Sequence, residues 1–265
     1  MRVKQSRLPD EQYDVVVVGA GFGGPVAAKK CAEAGLRTLM LERSEQVGEK
    51  VVSGLTIPFY GFLFSPDFIR DGNPPIERPV DGIINYIIKD VDAGEIDIDD
   101  SLKIPKPLSP VISFGYNAYC KPFCQWEADQ AVGAGAELRT SMAAVDVIRE
   151  DGVVTGIVTE DGRHIGCRVV INAEGSQGVL AVKAGVREKY PPETISLADV
   201  YDYEMPKEDV DRIFGHTLRF CWGWDEQMVA PPLGYGNGLM VWPYNSSLHF
   251  MHWENNSFDK LSTEA

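Results

Sequence analysis

The chain has 265 residues, of which 44% are hydrophobic and 24% are charged, a composition typical of a globular protein with one large core or two smaller ones. Its 39 acidic and 25 basic residues give a formal net charge of -14, which would repel a polyanion and argues against nucleic-acid binding. The same charge fits either a well-solvated acidic surface or a docking face for a basic partner protein.

The first twelve residues are polar and lack the apolar stretch of a secretion signal. No segment of the sequence approaches the roughly 20 apolar residues that span a bilayer, so membrane contact would be peripheral. The cysteines are odd in number and irregularly spaced, which favours reduced thiols and a cytoplasmic protein over a disulfide framework. They are Cys31, Cys120, Cys124, Cys167 and Cys221.

The first regular elements predict a βαβ unit. Asp14 to Val18 is a short β-branched run that ends at a glycine, as a buried parallel strand does. A helix follows, with Pro25 in its first turn and Gly35 as its C-terminal stop. Thr38 to Leu41 is then a second strand, and Glu42 follows it directly.

The segment from residue 44 to about 110 is punctuated by prolines and predicts an inserted, partly extended region. Within it, Ile83 to Lys89 and Glu95 to Ile98 are strand candidates. Lys121 to Ala134 then has the pattern of a helix.

Two Asp-Gly pairs, at residues 151–152 and 161–162, predict tight turns and therefore a three-stranded meander. Its last strand is almost wholly apolar from Val169 to Ala173, which indicates that it returns to the central sheet. The three predicted strands are Ala143 to Arg149, Val153 to Thr159 and His164 to Ala173.

Beyond residue 190 the composition shifts to aromatics and turn residues, with one short helix expected from Pro206 to Phe214 and a loose polar tail from Asn255 to Ala265. We therefore expect two domains. Residues 1–190 form a nucleotide-binding domain, with an insertion around 55–115 and the meander over 143–173. Residues 191–265 form a mainly β domain.

A glycine-rich motif carries the chemistry of the first domain. The run from Gly19 to Gly24 fits G-x-G-x-x-G, follows a strand and opens a helix. Gly19 permits the tight turn, Gly21 lets the backbone approach a pyrophosphate, and Gly24 lets the helix pack against the sheet. The helix N-terminus offers free N–H groups to the phosphates.

An acidic residue completes this motif, because Glu42 follows Gly24 by eighteen residues at the end of the second strand. Its carboxylate can accept hydrogen bonds from ribose hydroxyls and would repel a 2′-phosphate, so a ligand of the NADP type is disfavoured. FAD and NAD present the same ADP moiety to such a turn, and the motif alone does not separate them.

Four stretches of sequence, in this order, resemble a known family. They are Asp14-Val-Val-Val-Val-Gly-Ala-Gly-Phe-Gly-Gly, Leu41-Glu-Arg, Gly48-Glu-Lys-Val-Val-Ser-Gly and Val169-Val-Ile-Asn-Ala-Glu-Gly. Together they resemble the FixC, electron-transfer-flavoprotein:quinone oxidoreductase and geranylgeranyl reductase group of FAD-dependent oxidoreductases. The resemblance implies an α/β fold: a Rossmann-like FAD-binding domain of the GR2 type with an inserted β-meander, and a second, mainly β substrate layer.

The resemblance also implies FAD as the cofactor and a set of residues that contact it. The loop after the second strand approaches the isoalloxazine in this group, and the strand that ends near residue 174 runs beside the cofactor. The implied FAD residues are Gly19, Gly21, Gly24, Glu42, Arg43, Lys50, Ser53, Glu174 and Gly175.

The chain departs from the family pattern in three places. Cys120 and Cys124 stand where an Arg-x-x-Phe-Asp motif has its Arg and Asp, with Lys121 as a substitute cation. Glu174 replaces the usual Asp before Gly175, and nothing after Gly175 matches the later Gly-Asp segment that closes over the flavin. We therefore expect an incomplete flavin site.

These features lead to a functional hypothesis with two alternatives. The chain is expected to be an oxidoreductase subunit that transfers electrons between a partner carrier and an acceptor, in a hetero-oligomer. Its partner would be a second polypeptide that completes the flavin site, or an electron-transfer protein. The alternatives are a flavin-dependent reductase of unsaturated isoprenoid or other apolar substrates, and a scaffold subunit or fragment without turnover.

No catalytic acid or base is identified from the sequence, and no zinc-ligand spacing or other metal motif is present. Cys120 and Cys124 are one helical turn apart, but without a second pair they are expected to be small core residues. The four histidines are scattered along the sequence. Of these, His249 and His252 flank aromatic sequence. The sequence is compatible with either a proton-donor role or a packing role for them.

Overall fold

A computed structural model describes residues 9–51, 54–58, 72–90, 92–103, 113–176, 178–191, 196–222 and 238–255. The strands are β1 (Glu11–Val18), β2 (Thr38–Leu41), β3 (Gly54–Pro58), β4 (Arg78–Val80), β5 (Gly82–Asp90), β6 (Glu95–Lys103), β7 (Gly115–Tyr119), β8 (Glu137–Arg139), β9 (Ala144–Glu150), β10 (Val153–Thr159), β11 (His164–Asn172), β12 (Ser196–Glu204), β13 (Thr217–Trp222), β14 (Gly238–Pro243) and β15 (Ser247–Asn255). The helices are α1 (Gly23–Glu33), α2 (Cys120–Gly133), α3 (Val179–Lys183) and α4 (Lys207–Ile213).

The chain divides into two compact units, and each is built from two separate segments. Unit 1 comprises Met1–Val52 and Lys121–Lys189, and unit 2 comprises Ser53–Cys120 and Tyr190–Ala265. The segment around 55–115, which the sequence suggests as an insertion in the first domain, therefore groups with the C-terminal region in unit 2.

Unit 1 is built on a six-stranded sheet with the order β8-β2-β1-β11-β10-β9. The strands β8, β2, β1 and β11 are parallel to one another, whereas β10 and β9 continue the sheet as an antiparallel meander with β11. The predicted βαβ unit and meander are confirmed, and β11 does return to the central sheet. The fold of unit 1 is Rossmann-like and of the α/β class.

The central strand β1 is buried on both faces because successive side chains alternate between two cores. Val15 and Val17 pack in a cluster with residues of α1 and α2, while Val16 and Val18 pack in a second cluster with β10 and β11. This double burial explains why the strand is a continuous run of valines in the sequence.

A polar network ties β1 to β8 at the edge of the same sheet. The Tyr13 hydroxyl donates to Glu137 at 2.7 Å and accepts from Arg139 at 2.8 Å. The Arg139 guanidinium donates two hydrogen bonds to Glu11, at 2.8 and 2.6 Å. Burial, followed by the hydrogen bond to Glu137, raises the pKa of Tyr13 to about 12, which keeps the phenol protonated as a donor.

Replacing Tyr13 by phenylalanine removes this donor and leaves the partly buried carboxylate of Glu137 one hydrogen bond short. We expect Tyr13→Phe to lower the free energy of unfolding by about 1 kcal/mol. Urea denaturation at neutral pH measures the loss, and Tyr203→Phe, at a 60% exposed tyrosine, is the matched control. Equal stability of the two variants would contradict a structural role for the network.

Unit 2 contains a six-stranded sheet with the order β12-β15-β14-β13-β5-β6 and a three-stranded sheet with the order β3-β7-β4. In the large sheet only β13 and β5 are parallel neighbours among the described strands. The helix α4 packs Val210 against Val241 and Leu248 on one face of this sheet. Unit 2 is thus mainly β.

Aromatic and amide side chains join the two sheets of unit 2. The indole N–H of Trp242 donates to Thr56 at 3.2 Å, and the Tyr244 hydroxyl donates to the Ala118 carbonyl at 3.0 Å. The Asn117 amide, which is fully buried, donates to the Pro243 carbonyl at 3.0 Å. Trp242 and Tyr244 therefore pack the core of unit 2.

No helix in the described part of the chain is long and apolar enough to cross a membrane. All five cysteines are free thiols.

Candidate functional site

The candidate site of unit 1 is the glycine turn between β1 and α1. The Gly19 amide donates to the Leu41 carbonyl at 2.8 Å, and Gly19 has a φ of +103°, a backbone conformation that favours glycine. A β-carbon at Gly19 would lie 2.3 Å from the Ala173 carbonyl oxygen, and one at Gly24 would lie 1.8 Å from the Gly19 carbonyl oxygen. Only glycine fits at these two positions, because a β-carbon would overlap a backbone carbonyl oxygen.

Gly21 differs from these two glycines because the space that its β-carbon would occupy is open. A β-carbon built there meets no atom within 4 Å, and its φ is not in the left-handed region. The protein itself therefore does not require glycine at this position. A pyrophosphate can approach the start of a helix closely only where no side chain blocks its path, and glycine meets this requirement.

The N-terminus of α1 provides unused hydrogen-bond donors beside Gly21. The residue before the helix is Phe22, which makes no capping hydrogen bond through its side chain, and the first turn contains no acidic residue. The first N–H groups of a helix have no partner within the helix, so an anion can accept from them and gain from the helix dipole. The site is thus suited to a diphosphate.

The carboxylate of Glu42 lies on the same turn. One of its oxygens accepts from the Ala20 amide at 3.1 Å, and the other accepts from the Ser44 amide at 2.9 Å. A carboxylate has about four acceptor positions, so about two remain for ribose hydroxyls. The two backbone hydrogen bonds hold the carboxylate next to the glycine turn.

Ser44 is a residue of this site that the sequence analysis missed. Its side chain is 7% exposed, and its hydroxyl oxygen is buried without a hydrogen-bond partner. A buried hydroxyl beside Glu42 that lacks a partner fits a site made to receive a polar ligand group. The only sequence signal for it is its position two residues after the acidic residue.

The end of β11 is adjacent to the glycine turn. The Ala173 amide donates to the Val18 carbonyl at 2.8 Å, which brings the following residues, Glu174 and Gly175, beside Gly19. Gly175 has a φ of +71° and open space where a β-carbon would stand. The carboxylate of Glu174 accepts from the Leu180 amide at 2.8 Å and so binds the start of α3.

The remaining residues implied by the resemblance contribute less to this geometry. Arg43 and Lys50 have exposed side chains on the loop after β2. Gly48 in that loop has a φ of +76° and packs against the backbone of Lys121 in α2. Ser53 lies outside the described residues. The structure therefore brings together Gly19, Gly21, Gly24, Glu42, Glu174 and Gly175.

The helix α2 places one aromatic ring, that of Phe123, near this turn and carries a buried carboxyl group one helical turn later. Phe123 lies 6.3 Å from the Phe22 ring, measured between ring centroids. One helical turn later, Glu127 is 8% exposed and one of its oxygens is buried without a partner. Burial raises the pKa of Glu127 to about 8, because water no longer solvates its charged form.

The two cysteines of α2 are buried small residues, as expected. Cys124 is fully buried within the core of unit 1, and burial raises the pKa of Cys120 to about 12, which keeps it a thiol. No group of three or more metal-binding side chains occurs among the described residues.

Among the histidines, His249 has the most defined surroundings. One ring nitrogen lies 2.8 Å from the Asp202 carboxylate, and the other is buried without a partner. Its ring packs against Trp242 and Tyr244, at centroid distances of 5.6 and 5.8 Å. This packing within unit 2 makes His249 a core residue of its sheet.

Comparison with known proteins identifies the family. A family model described as FAD dependent oxidoreductase matches residues 14–211, which include the glycine turn, Glu42 and the end of β11. The chain belongs to this family. FAD is its cofactor. The family match therefore distinguishes FAD from NAD, which the glycine motif alone does not separate.

Two groups of relatives resemble this family member over most of its length. Protein FixC of Azorhizobium caulinodans is 30% identical over 211 residues, covering 77% of this chain and 46% of that protein. Digeranylgeranylglycerophospholipid reductase of Methanocaldococcus jannaschii is 29% identical over 227 residues, covering 84% of this chain and 51% of that protein. The chain spans about half the length of the curated relatives it matches.

Solved structures share the fold of this family member. A geranylgeranyl bacteriochlorophyll reductase-like protein from Thermoplasma acidophilum matches with a TM-score of 0.69 and 25% identity, over 92% of this chain and 57% of that one. A variant of halogenase PltM in complex with FAD matches with a TM-score of 0.65 and 15% identity, over 93% of this chain and 52% of that one.

Proposed function

We propose that this chain holds FAD by its ADP half and works in an oxidoreductase of the FixC and electron-transfer-flavoprotein dehydrogenase type. The observation that supports this most is the open space at Gly21, between uncapped helix N–H groups and the Glu42 carboxylate. In this proposal the α1 N–H groups bind the diphosphate, Glu42 binds ribose hydroxyls, and Gly19 and Gly24 hold the turn in shape.

We assign the remaining implied residues supporting roles. Arg43 and Lys50 are exposed cations on the loop after β2, where they would attract the phosphate charge, and Ser53 is kept as an FAD-binding residue on the resemblance alone. Glu174 would act by fixing the start of α3, so that Gly175 stays open beside the cofactor. The flavin supplies hydride or single-electron transfer when bound, and these residues orient it.

We further propose that a second polypeptide completes the flavin site or exchanges electrons with it, in a reducing compartment such as the cytoplasm. The proposal is supported by the FixC relatives and by five free thiols. A reductase of apolar substrates is the second candidate, supported by the archaeal phospholipid reductase.

The test is FAD binding by the purified chain and by a Glu42→Gln variant. Because a hydrogen bond to a charged acceptor contributes about 1.5–3 kcal/mol, Glu42→Gln should weaken FAD binding by about 10- to 100-fold. FMN, which lacks the adenosine ribose, should bind both proteins equally. Titrations followed by flavin fluorescence, with ADP as competitor, measure these affinities. Failure of ADP to compete would overturn the proposed site.

A second measurement addresses the partner. The chain is expressed alone and together with its neighbouring reading frame, and flavin absorbance is measured against subunit content. A yellow complex with both polypeptides supports the completed site. A colourless solitary 29.2 kDa protein that also fails to bind added FAD would support the scaffold alternative. Hydrogenation of an isoprenoid double bond by the flavin-loaded complex would favour the reductase.

A further inference from the structure

One edge of the large sheet of unit 2 presents apolar side chains to solvent. Among the strands that the structure describes, β6 is the last of this sheet, and every residue in it is exposed. Ile96 and Ile98 are 52% and 63% exposed. Their partners on β5 are Ile88 and Tyr86, so the four side chains share one face of the sheet.

A dense group of carboxylates accompanies these apolar side chains, and Glu95, Asp97 and Asp99 alternate with the isoleucines along β6 and so lie on the opposite face of the sheet. Between residues 90 and 100 the sequence contains Asp90, Asp92, Glu95, Asp97, Asp99 and Asp100. Lys89 forms an ion pair with Asp97, and Lys103 lies 2.7 Å from Asp100. In the described ranges, none of the other four carboxylates forms an ion pair. Together with the four apolar side chains, these six carboxylates define the β5–β6 surface.

Charged residues on an edge strand often serve only to prevent sheet-to-sheet aggregation. That purpose does not account for two half-exposed isoleucines beside an exposed strand edge, because exposed apolar edges promote pairing. A strand with apolar side chains on one face and carboxylates on the other is instead complementary to a partner strand that alternates apolar and basic residues.

We propose that the β5–β6 surface is a docking site for a partner protein that adds a strand alternating apolar and basic residues to β6. The backbone N–H and C=O groups on the outer side of an edge strand can form a sheet ladder with such a segment. Apolar side chains of the added strand would cover Ile96 and Ile98, and its basic side chains would meet the carboxylates on the opposite face of the sheet.

Charge complementarity selects this occupant over two others. A second copy of the chain related by a two-fold axis would place the same carboxylates against each other, which costs free energy. An anionic lipid surface would be repelled for the same reason. The proposal does not depend on the flavin chemistry of unit 1.

The test uses two synthetic peptides of the same composition. The first is Lys-Val-Lys-Ile-Lys-Val-Lys-Ile-Lys, and the second has the same residues with the four apolar ones grouped together at the centre. We expect the alternating peptide to protect β6 amides from hydrogen exchange and to bind at least about tenfold more tightly than the grouped peptide. Fluorescence anisotropy of labelled peptides measures the affinities.

Variants separate the apolar contribution from the charge. The double variant Ile96→Asn and Ile98→Asn should lose about tenfold in affinity for the alternating peptide. The matched control, Val153→Asn with Val186→Asn, changes two valines of unit 1 that are 64% and 78% exposed and should lose nothing. Circular dichroism confirms that both proteins are folded.

Three outcomes would overturn the proposal. Equal affinity for the two peptides would show charge attraction without strand addition. Unchanged binding by the isoleucine variant would show that the apolar face takes no part. Self-association of the unmodified protein in sedimentation, lost in the isoleucine variant, would identify a second copy as the occupant. The exchange experiment on the unmodified protein remains informative if a variant fails to fold.

Discussion

Replacing Gly21 by valine is expected to abolish FAD binding and to leave the flavin-free protein folded. A β-carbon at this position meets no protein atom within 4 Å, so the variant does not clash with its own structure. The same side chain would occupy the space through which a diphosphate approaches the helix N–H groups. We expect affinity for FAD to fall by a factor on the order of 100 or more.

The neighbouring glycines make this experiment specific. Gly24→Ala would place a β-carbon 1.8 Å from the Gly19 carbonyl oxygen, so loss of FAD there would report a damaged fold. Gly133→Val, on the last turn of α2, also adds a side chain where a β-carbon meets open space and is the matched control for Gly21→Val. Stoichiometric FAD retained by Gly21→Val, with an unchanged melting temperature, would contradict the assignment of the diphosphate site.

The second large effect concerns the pH dependence of stability. In the unfolded chain a glutamate titrates near 4.5, whereas burial raises the pKa of Glu127 to about 8. Between these values the folded protein binds a proton that the unfolded chain has released. The free energy of unfolding therefore falls as pH rises from about 4.5 to about 8, by an amount on the order of 4 kcal/mol.

Glu127→Gln removes the titration and should flatten this pH dependence, and Glu127→Leu should also gain from apolar burial. At pH 5 the wild type and Glu127→Gln should have similar stability, whereas near pH 8 the variant should be more stable. Asp129→Asn makes the same charge change on an exposed residue of α2 and should alter neither value. Urea denaturation with hydrogen exchange of α2 amides measures the difference. A wild-type curve that rises toward pH 8 would refute the buried carboxyl.

Much of unit 1 was predictable because its local signals agree. The β1 valines, the glycine turn and Glu42 lie close together in the sequence, and hydrogen bonds connect them in the structure. The turn at residues 151–152 has positive φ at both residues, which Asp and Gly accept more readily than most pairs do. Here local preference and tertiary structure point the same way.

The remaining features depend on contacts that the sequence does not mark. The strand β8 has three residues and exists because β2 pairs with it across a gap of almost 100 residues. The pairing of β13 with β5 is likewise long-range and places the segment around 55–115 in unit 2. Burial of Ser44 and Glu127 is a property of assembled elements, and neither residue belongs to a motif.

Each unit is built from two separate segments of the chain, so neighbouring strands of one sheet are synthesised at different times. The central strand β1 pairs in parallel with β11, and Val15 and its partner Val169 are more than 150 residues apart. At a translation rate of about 5–20 residues per second, β1 leaves the ribosome roughly 10–30 s before its neighbour exists. During that interval four consecutive valines have an unpaired edge. Cotranslational protection by a chaperone therefore matters most before residue 172 emerges.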